Sequence, residues 1–215
     1  VRGRFITFEG IEGSGKSSQI ALLAGYLRSK QRIVSLTREP GGTTIGDQVR
    51  KILLDPANKA LDPAAELLLY AASRAQHLTE VIGPALERGA VVLCDRFSDA
   101  TIAYQGYGRG LDRDMIDRLD RMVTAGMRPA LTLLLDVDVA VGLARARGRN
   151  DLEGLEAEAR FENENLKFHD RVRRGYLALA KEEPSRISIV DAALTPDRVQ
   201  EKIREIVNRL LEPES

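Results

Sequence analysis

Five short runs of apolar, β-forming residues punctuate the chain: Arg4–Phe8, Ile33–Leu36, Ala90–Cys94, Leu131–Leu135 and Ile187–Val190. Several are apolar at every position rather than at alternate ones, the pattern of strands covered on both faces, as in parallel sheets. Between them the apolar spacing changes to three and four. Gly15–Lys30 carries Ile20, Leu23, Ala24 and Leu27, and Pro63–Arg88 carries Leu67, Leu68, Ala71, Ala72, Ala75, Val81, Ile82 and Leu86. Met115–Gly126 is a further apolar helix. Val199, Ile203, Ile206, Val207, Leu210 and Leu211 form one stripe of a last helix opened by Thr195-Pro196, with Pro in the first turn. Strands alternating with helices predict an α/β fold with a doubly wound parallel sheet of five strands. With no internal repeat and no Pro- or Ser-rich linker, residues 1–215 are expected to form one domain.

One segment departs from this pattern. Arg145, Arg147 and Arg149 crowd together around Gly148, and 151–164 then holds six acids against one base, Arg160. So polar a stretch is expected to be a solvated excursion, a small lid over about 141–164 that closes on something anionic. Gly148 is expected to end the helix before it and free Arg149 to swing.

Composition narrows the classes. The 215 residues are 43% hydrophobic and 30% charged, with 32 Lys and Arg against 32 Asp and Glu. Zero net charge disfavours a nucleic-acid coat while leaving room for a local basic pocket. Cys94 has no partner for an intrachain disulfide, and no Cys/His cluster has zinc spacing. No run approaches the ~18 apolar residues of a membrane span, and Val1-Arg2-Gly3-Arg4 leads into no signal-peptide core. A cytoplasmic protein with no membrane partner is expected. His77 and His169 stand isolated along the chain, with no Ser or Cys in motif spacing, and are expected to be structural; Cys94, inside a buried strand, is expected to serve packing.

The first strand runs into Gly10-Ile11-Glu12-Gly13-Ser14-Gly15-Lys16-Ser17, which fits the P-loop pattern in its required place between strand and helix. Glycines let successive backbone N–H groups turn inward around a phosphate, and the following helix adds the positive end of its dipole. This makes Gly10 through Ser18 the expected site of a nucleoside triphosphate, with Lys16 on its β/γ oxygens and the Ser17 hydroxyl on Mg²⁺. A second acid should close the metal site from the end of another buried strand. Asp95, followed by Arg96, is the preferred candidate; Asp136 is expected instead to cap the helix after it. Guanine-reading motifs are absent in the order and spacing a GTPase needs. The P-loop alone leaves open a kinase for some other acceptor, a nucleotide-driven switch or a nucleic-acid-binding ATPase.

Thr37-Arg38-Glu39-Pro40-Gly41-Gly42-Thr43, Asp95-Arg96-Phe97, and Ala103-Tyr104-Gln105-Gly106 with Gly108-Arg109-Gly110 resemble the bacterial thymidylate kinases in order and spacing over about residues 4–165. The resemblance implies a P-loop nucleoside monophosphate kinase fold with strand order 2-3-1-4-5. The reaction it implies is ATP + dTMP → ADP + dTDP, in dTTP biosynthesis, with Mg²⁺. It also implies a homodimer packed through helices, for which Pro63–Arg88 and Met115–Gly126 could supply a face.

Residues fall into roles under that reading. Tyr70 and Arg74, at i and i+4, share one helix face. The ring can stack on a base, and the guanidinium can donate to thymine O4, where cytosine would present a donor instead. The family match puts Thr101 and Gln105 beside the base, Tyr104 against the sugar 2′ position and Glu12 near the 3′-hydroxyl. Because an acid inside a P-loop repels phosphate, Glu12 must face away or hold a cation. Arg96 and Arg50, then Arg38, are the expected clamp on the acceptor phosphate, with Glu39 and Pro40 lining the same pocket. The loop itself lacks a further base, so Arg149, then Arg145 and last Arg147 are expected to neutralise the moving phosphoryl group.

Overall fold

The computed structural model describes residues 3–153 and 160–211; the side chains of 149–153 are also outside the description. β1 (Arg4–Glu9), β2 (Val34–Arg38), β3 (Val91–Asp95), β4 (Leu131–Asp136) and β5 (Ile187–Asp191) form one parallel sheet in the order β2-β3-β1-β4-β5. The order implied by the resemblance is the order observed. β1, β3 and β4 are buried almost throughout. β2 and β5 are not: Leu36 and Ile189 are 43% and 51% exposed. An apolar run thus marks a strand in each case, but edge position leaves the outer two half-covered.

Register fixes where chemistry can occur. Phe8 pairs with Asp95 across β1 and β3, and Arg38 pairs with Asp95 across β2 and β3. The carboxyl ends of the three strands therefore finish side by side. In open α/β sheets that edge is where ligands bind.

Helices flank both faces: α1 (Lys16–Ser29), α2 (Thr44–Leu54), α3 (Pro63–His77), α4 (Gly83–Glu87), α5 (Ser98–Thr101), α6 (Arg113–Thr124), α7 (Val139–Glu153), α8 (Leu166–Glu182) and α9 (Pro196–Leu211). Side chains seal most long helix starts. Thr43 accepts from Gly46 N on α2, Asp62 from Ala64 N on α3, Asp112 from Met115 N on α6 and Asn165 from Phe168 N on α8. Phe8, Leu23, Leu27, Leu93, Leu133 and Leu135 fill the main core between sheet and helices. Truncating one such leucine to alanine typically costs about 2–5 kcal/mol.

Three local expectations are corrected. Pro63–Arg88 is helical through Glu87 but not α throughout: α3 ends at His77, a wide π-type turn covers Leu78–Ile82, and α4 follows directly. Pro84 lacks an N–H and crowds the preceding turn, so a continuous α-helix cannot pass through it unstrained. Gly148 does not stop α7, which continues to Glu153. Mid-helix glycine costs only about 1 kcal/mol, and here it is simply carried. Asp136 does not cap α7; Asp138 does, accepting from Ala140 N at 2.9 Å. As the last residue of β4, Asp136 lies too early to cap, and Arg173 grips it at 2.7 and 2.9 Å.

Candidate active site

α1 begins unlike its neighbours. Gly15, at φ 90°, precedes it without a side-chain cap, and its first turn has no acid. Its N–H groups are left to an outside acceptor, which for a helix start favours an anion. The loop before it is seated on α7. A Cβ on Gly13 (φ +69°) would meet Gly142 O at 1.9 Å, and one on Gly142 would meet Glu12 O at 2.7 Å. Only glycine on both sides permits this approach.

Lys16 Nζ folds back over the loop, donating to Gly10 O (3.0 Å), Ile11 O (2.9 Å) and Ser14 Oγ (3.2 Å). Burial, with the Arg96 charge adding to it, lowers the Lys16 ammonium to about 8 against the pull of Asp95, Glu12 and Glu9. The Ser17 hydroxyl donates to Asp95 Oδ2 at 3.0 Å. The two sequence-predicted metal residues therefore meet although 78 positions separate them. A hydroxyl and a carboxylate are the hard oxygen donors Mg²⁺ takes, with waters and nucleotide oxygens completing its shell. Among the described residues no group of three or more His, Cys, Asp or Glu could hold a metal by itself.

Arg96 follows β3 in the left-handed region, at φ 70°, where a non-glycine residue costs of order 1–3 kcal/mol. Several contacts hold it there. Its N–H donates to Phe8 O, and Cys94 Sγ donates to its carbonyl at 3.0 Å, so Cys94 fastens this turn as well as packing. The guanidinium donates to Gly10 O (2.9 Å), Glu12 Oε1 (3.1 Å) and Tyr176 Oη (3.2 Å) and lies over the Tyr104 ring.

Glu12 resolves the oddity of an acid in a phosphate loop by turning away. Oε1 takes Arg96 and the Tyr104 hydroxyl (2.5 Å), and Oε2 faces His169 Nδ1 at 3.2 Å. Burial pushes its carboxyl up, but the His169 contact and the Arg96 charge outweigh it and hold the group well below the carboxylate range. Behind Glu12, Glu9 is wholly buried. It accepts from Phe97 N (2.7 Å) and the Tyr176 hydroxyl (2.8 Å), and burial, with Asp99 nearby, raises it to about 8.

One cleft of about 850 Å³ joins this loop to a second pocket. Tyr70 and Arg74 both face the cleft from α3, as their spacing predicts. Arg74 is 3% exposed. Its Nε donates to Glu39 Oε2 (2.8 Å), Nη1 to Asp120 Oδ1 (3.3 Å) and Nη2 to Thr101 Oγ1 (2.9 Å), and Phe97 stacks beneath it. Burial disfavours this charge, but Glu39 and Asp120 restore it and push its pKa up. Thr101, Tyr104 and Gln105 are buried and line the same cleft. Gln105 is turned to Glu66 Oε1 at 2.7 Å. Glu39, Pro40, Arg38 and Arg50 also line it, Arg50 donating to Pro40 O at 3.1 Å.

The arginine segment divides. Arg145 lines the cleft and donates to Ala192 O at 3.0 Å. Arg147 is exposed and does not line it. The Arg149 side chain and residues 154–159 lie outside the described residues.

The acidic stretch is not solvated to its end. Arg160, Phe161 and Glu162 are 6%, 5% and 8% exposed, and the latter two face the cleft. Arg160 reaches Leu53 O and Glu66 Oε2, and Arg109 joins the same Glu66. A fully buried carboxylate on α3 thus pulls two arginines inward. Sequence reasoning missed this group, along with Tyr176 and the wall made by Ala192, Leu194, Pro196 and Val199. Both histidines are fully buried, and each meets a carboxylate the sequence does not place beside it. His169 faces Glu12, and His77 faces Glu39. A sequence signal for the buried part was Phe161, the one aromatic residue in the acid-rich run 151–164.

A parallel sheet in this order, with a phosphate loop after its central strand and a basic second pocket across the same edge, defines a P-loop nucleoside monophosphate kinase. The family model described as thymidylate kinase matches residues 8–203. A thymidylate kinase of Trichlorobacter lovleyi is 59% identical over 210 residues, covering 97% of this chain and 99% of its own. One from Solidesulfovibrio magneticus is 53% identical over 208 residues, covering 96% and 100%. The crystal structure of thymidylate kinase from Ehrlichia chaffeensis superposes with a TM-score of 0.75 at 37% identity, covering 96% of this chain and 99% of that one. The chain belongs to the thymidylate kinase family.

Proposed function

We propose that the thymidylate kinase reaction, transfer of the γ-phosphoryl group of ATP to the 5′-phosphate of dTMP, runs along this cleft with the two nucleotides tail to tail. The observation that carries the reading is the continuity of the cleft from the uncapped start of α1 to Arg74. Arg96 and Asp95 stand between the two ends.

The donor triphosphate lies in Gly10–Ser18. Its β- and γ-oxygens draw Lys16 Nζ from the loop carbonyls, and its adenosine end rests between Arg145 and the Ala192–Leu194 wall. Ser17 and Asp95 would hold Mg²⁺, which supplies charge neutralisation on the phosphate oxygens. The thymine ring lies against Tyr70, with O4 at the Arg74 guanidinium and Thr101 and Gln105 at its edge. Tyr104 closes the sugar 2′ side and Glu12 the 3′ side. Arg96 and Arg50 take the acceptor phosphate, with Arg38 at the rim.

No general base is needed, because the nucleophile is already a phosphate oxygen. Positioning and electrostatics carry the reaction. Arg149, with Arg145, meets the charge on the moving phosphoryl group as 141–164 closes and water is excluded. The chain acts as one catalytic domain in the cytoplasm, where both nucleotides are supplied. It acts as a homodimer through the face where Leu68 of α3 and Met122 of α6 are 58% and 73% exposed. Light scattering at micromolar concentration tests this, and a monomer mass would remove it.

A coupled assay with ATP and dTMP, dUMP, dCMP and AMP tests the acceptor assignment. dTMP is expected to be preferred over dCMP, with the preference lost in Arg74→Met. In Arg149→Ala, kcat should fall far more than KM for dTMP rises; an unchanged kcat would take Arg149 out of the mechanism.

A further inference from the structure

His77 is a buried group that none of the steps above uses. It ends α3, one turn beyond Arg74, and its ring is 0% exposed. Both nitrogens are engaged. Nδ1 stands 3.0 Å from Glu39 Oε1 and Nε2 stands 2.5 Å from Thr37 Oγ1. A carboxylate oxygen accepts, so the Nδ1 N–H is the donor toward Glu39, while the Thr37 hydroxyl, able to donate or accept, meets Nε2. The loop after β2 is shaped around this ring, since a Cβ on Gly42 would meet Nε2 at 2.8 Å.

Glu39 divides its carboxylate between two tasks: Oε1 to His77 and Oε2 to Arg74 Nε. Arg74 carries five N–H donors in a rigid plane. Nε, one of Nη1 and one of Nη2 are taken by Glu39, Asp120 and Thr101. The remaining donors are the ones available to a base. Where they point depends on the plane of the guanidinium, which Glu39 holds at Nε together with Asp120, Thr101 and the Phe97 ring. His77 is what fixes the other Glu39 oxygen.

We infer that His77 is a positioning residue for base selection: acting through Glu39, it sets the orientation in which Arg74 meets the acceptor at position 4 of a pyrimidine. The inference rests on the acceptor-pocket reading above. Thymine presents an acceptor at that position and cytosine a donor. A guanidinium held in one orientation rejects the wrong base by leaving donors opposed, whereas a loosened one can turn and tolerate both. His77 itself does not line the cleft.

Calorimetric dissociation constants for dTMP and dCMP, with steady-state kcat for dTMP, test this on four variants of the full chain. His77→Asn keeps a donor near the Nδ1 position and is expected to stay within about threefold of the parent. His77→Gln reaches toward Thr37 instead, and His77→Leu reaches neither. Both are expected to weaken dTMP binding about tenfold and to shrink the dTMP-over-dCMP preference about tenfold, with the loss in dTMP affinity exceeding any loss in kcat. The Asn and Gln variants are both polar, so their contrast decides the matter even where the Leu variant folds poorly. Equal behaviour of Asn and Gln, or a preference unchanged in Gln, overturns the inference. Arg74→Met separates the two levels. If it too leaves the preference intact, the acceptor-pocket reading falls and takes the inference with it. If it abolishes the preference while His77→Gln does not, His77 alone is excluded.

Discussion

The two ends of the cleft are built in opposite ways. The end proposed for the donor is nine consecutive residues, Gly10–Ser18, whose inward polar groups are mostly backbone N–H. The end proposed for the acceptor is collected from β2's exit, α3, β3's exit, the turn after α5 and the segment that follows α7. Its groups are side chains, each oriented by another side chain. Glu39 and Thr101 orient Arg74, and Glu66 orients Gln105. A phosphate is the same on every nucleotide and can be met by a fixed cradle. A base must be told from its relatives, which requires donors aimed in a plane, and aiming takes a supporting layer.

The contrast can be broken by substitutions at either end. The largest effect is expected at the donor end. Lys16→Met should lower kcat by about 10²–10³, the usual cost of removing one charge-stabilising donor, while the dTMP dissociation constant measured without ATP stays near that of the parent. At the acceptor end, Arg74→Met should weaken dTMP binding by about 10–100-fold, as the loss of a buried polar partner does, with little change in ATP affinity by fluorescence titration. Crossed effects, with ATP lost in the second and dTMP in the first, would erase the division.

A proton balance sharpens the donor side. Lys16 sits near 8 in the nucleotide-free chain, and a bound triphosphate favours its charged form. ATP binding at pH 8 should therefore take up about half a proton, and affinity should fall as pH rises beyond that point. Calorimetry in two buffers of different ionisation enthalpy measures this directly. Zero uptake would place Lys16 in its ordinary range.

The smallest effect is at the shared floor. Glu9 keeps its proton up to about 8 when folded, against 4.5 for an unburied carboxyl. Between those values the unfolded chain ionises and the folded one does not, so Glu9 erodes stability as pH rises from about 5 to about 8, after which the loss levels off. Glu9→Gln is expected to flatten that slope. Its Tm relative to the parent should be higher at pH 9 than at pH 5; a difference independent of pH would put Glu9's ionisation elsewhere.

The same contrast explains what could be read from the chain alone. The phosphate loop was legible because its signal is local: a glycine pattern between a strand and a helix. Tyr70 and Arg74 were legible because helical periodicity puts them on one face, and the central strands because burial on both sides writes a continuous apolar run. The supporting layer was not. His169 and Glu12, or Arg160 and Glu66, lie far apart along the chain, and no periodicity links them. A histidine without neighbours in sequence looks idle, although the fold gives His77 two partners. Charge density misled at 160–162 because Glu66 draws Arg160 inward, and Gly148 misled because glycine permits a helix end without requiring one.

The most direct test is a crystal structure with dTMP and a non-hydrolysable ATP analogue bound together. The expected result is thymine against Tyr70 with O4 within hydrogen-bond distance of Arg74, its phosphate at Arg96, and the analogue's γ-phosphate at Lys16 on the near side. A pyrimidine ring seated away from Tyr70 and Arg74, or two phosphates that do not face each other across Arg96, would contradict it.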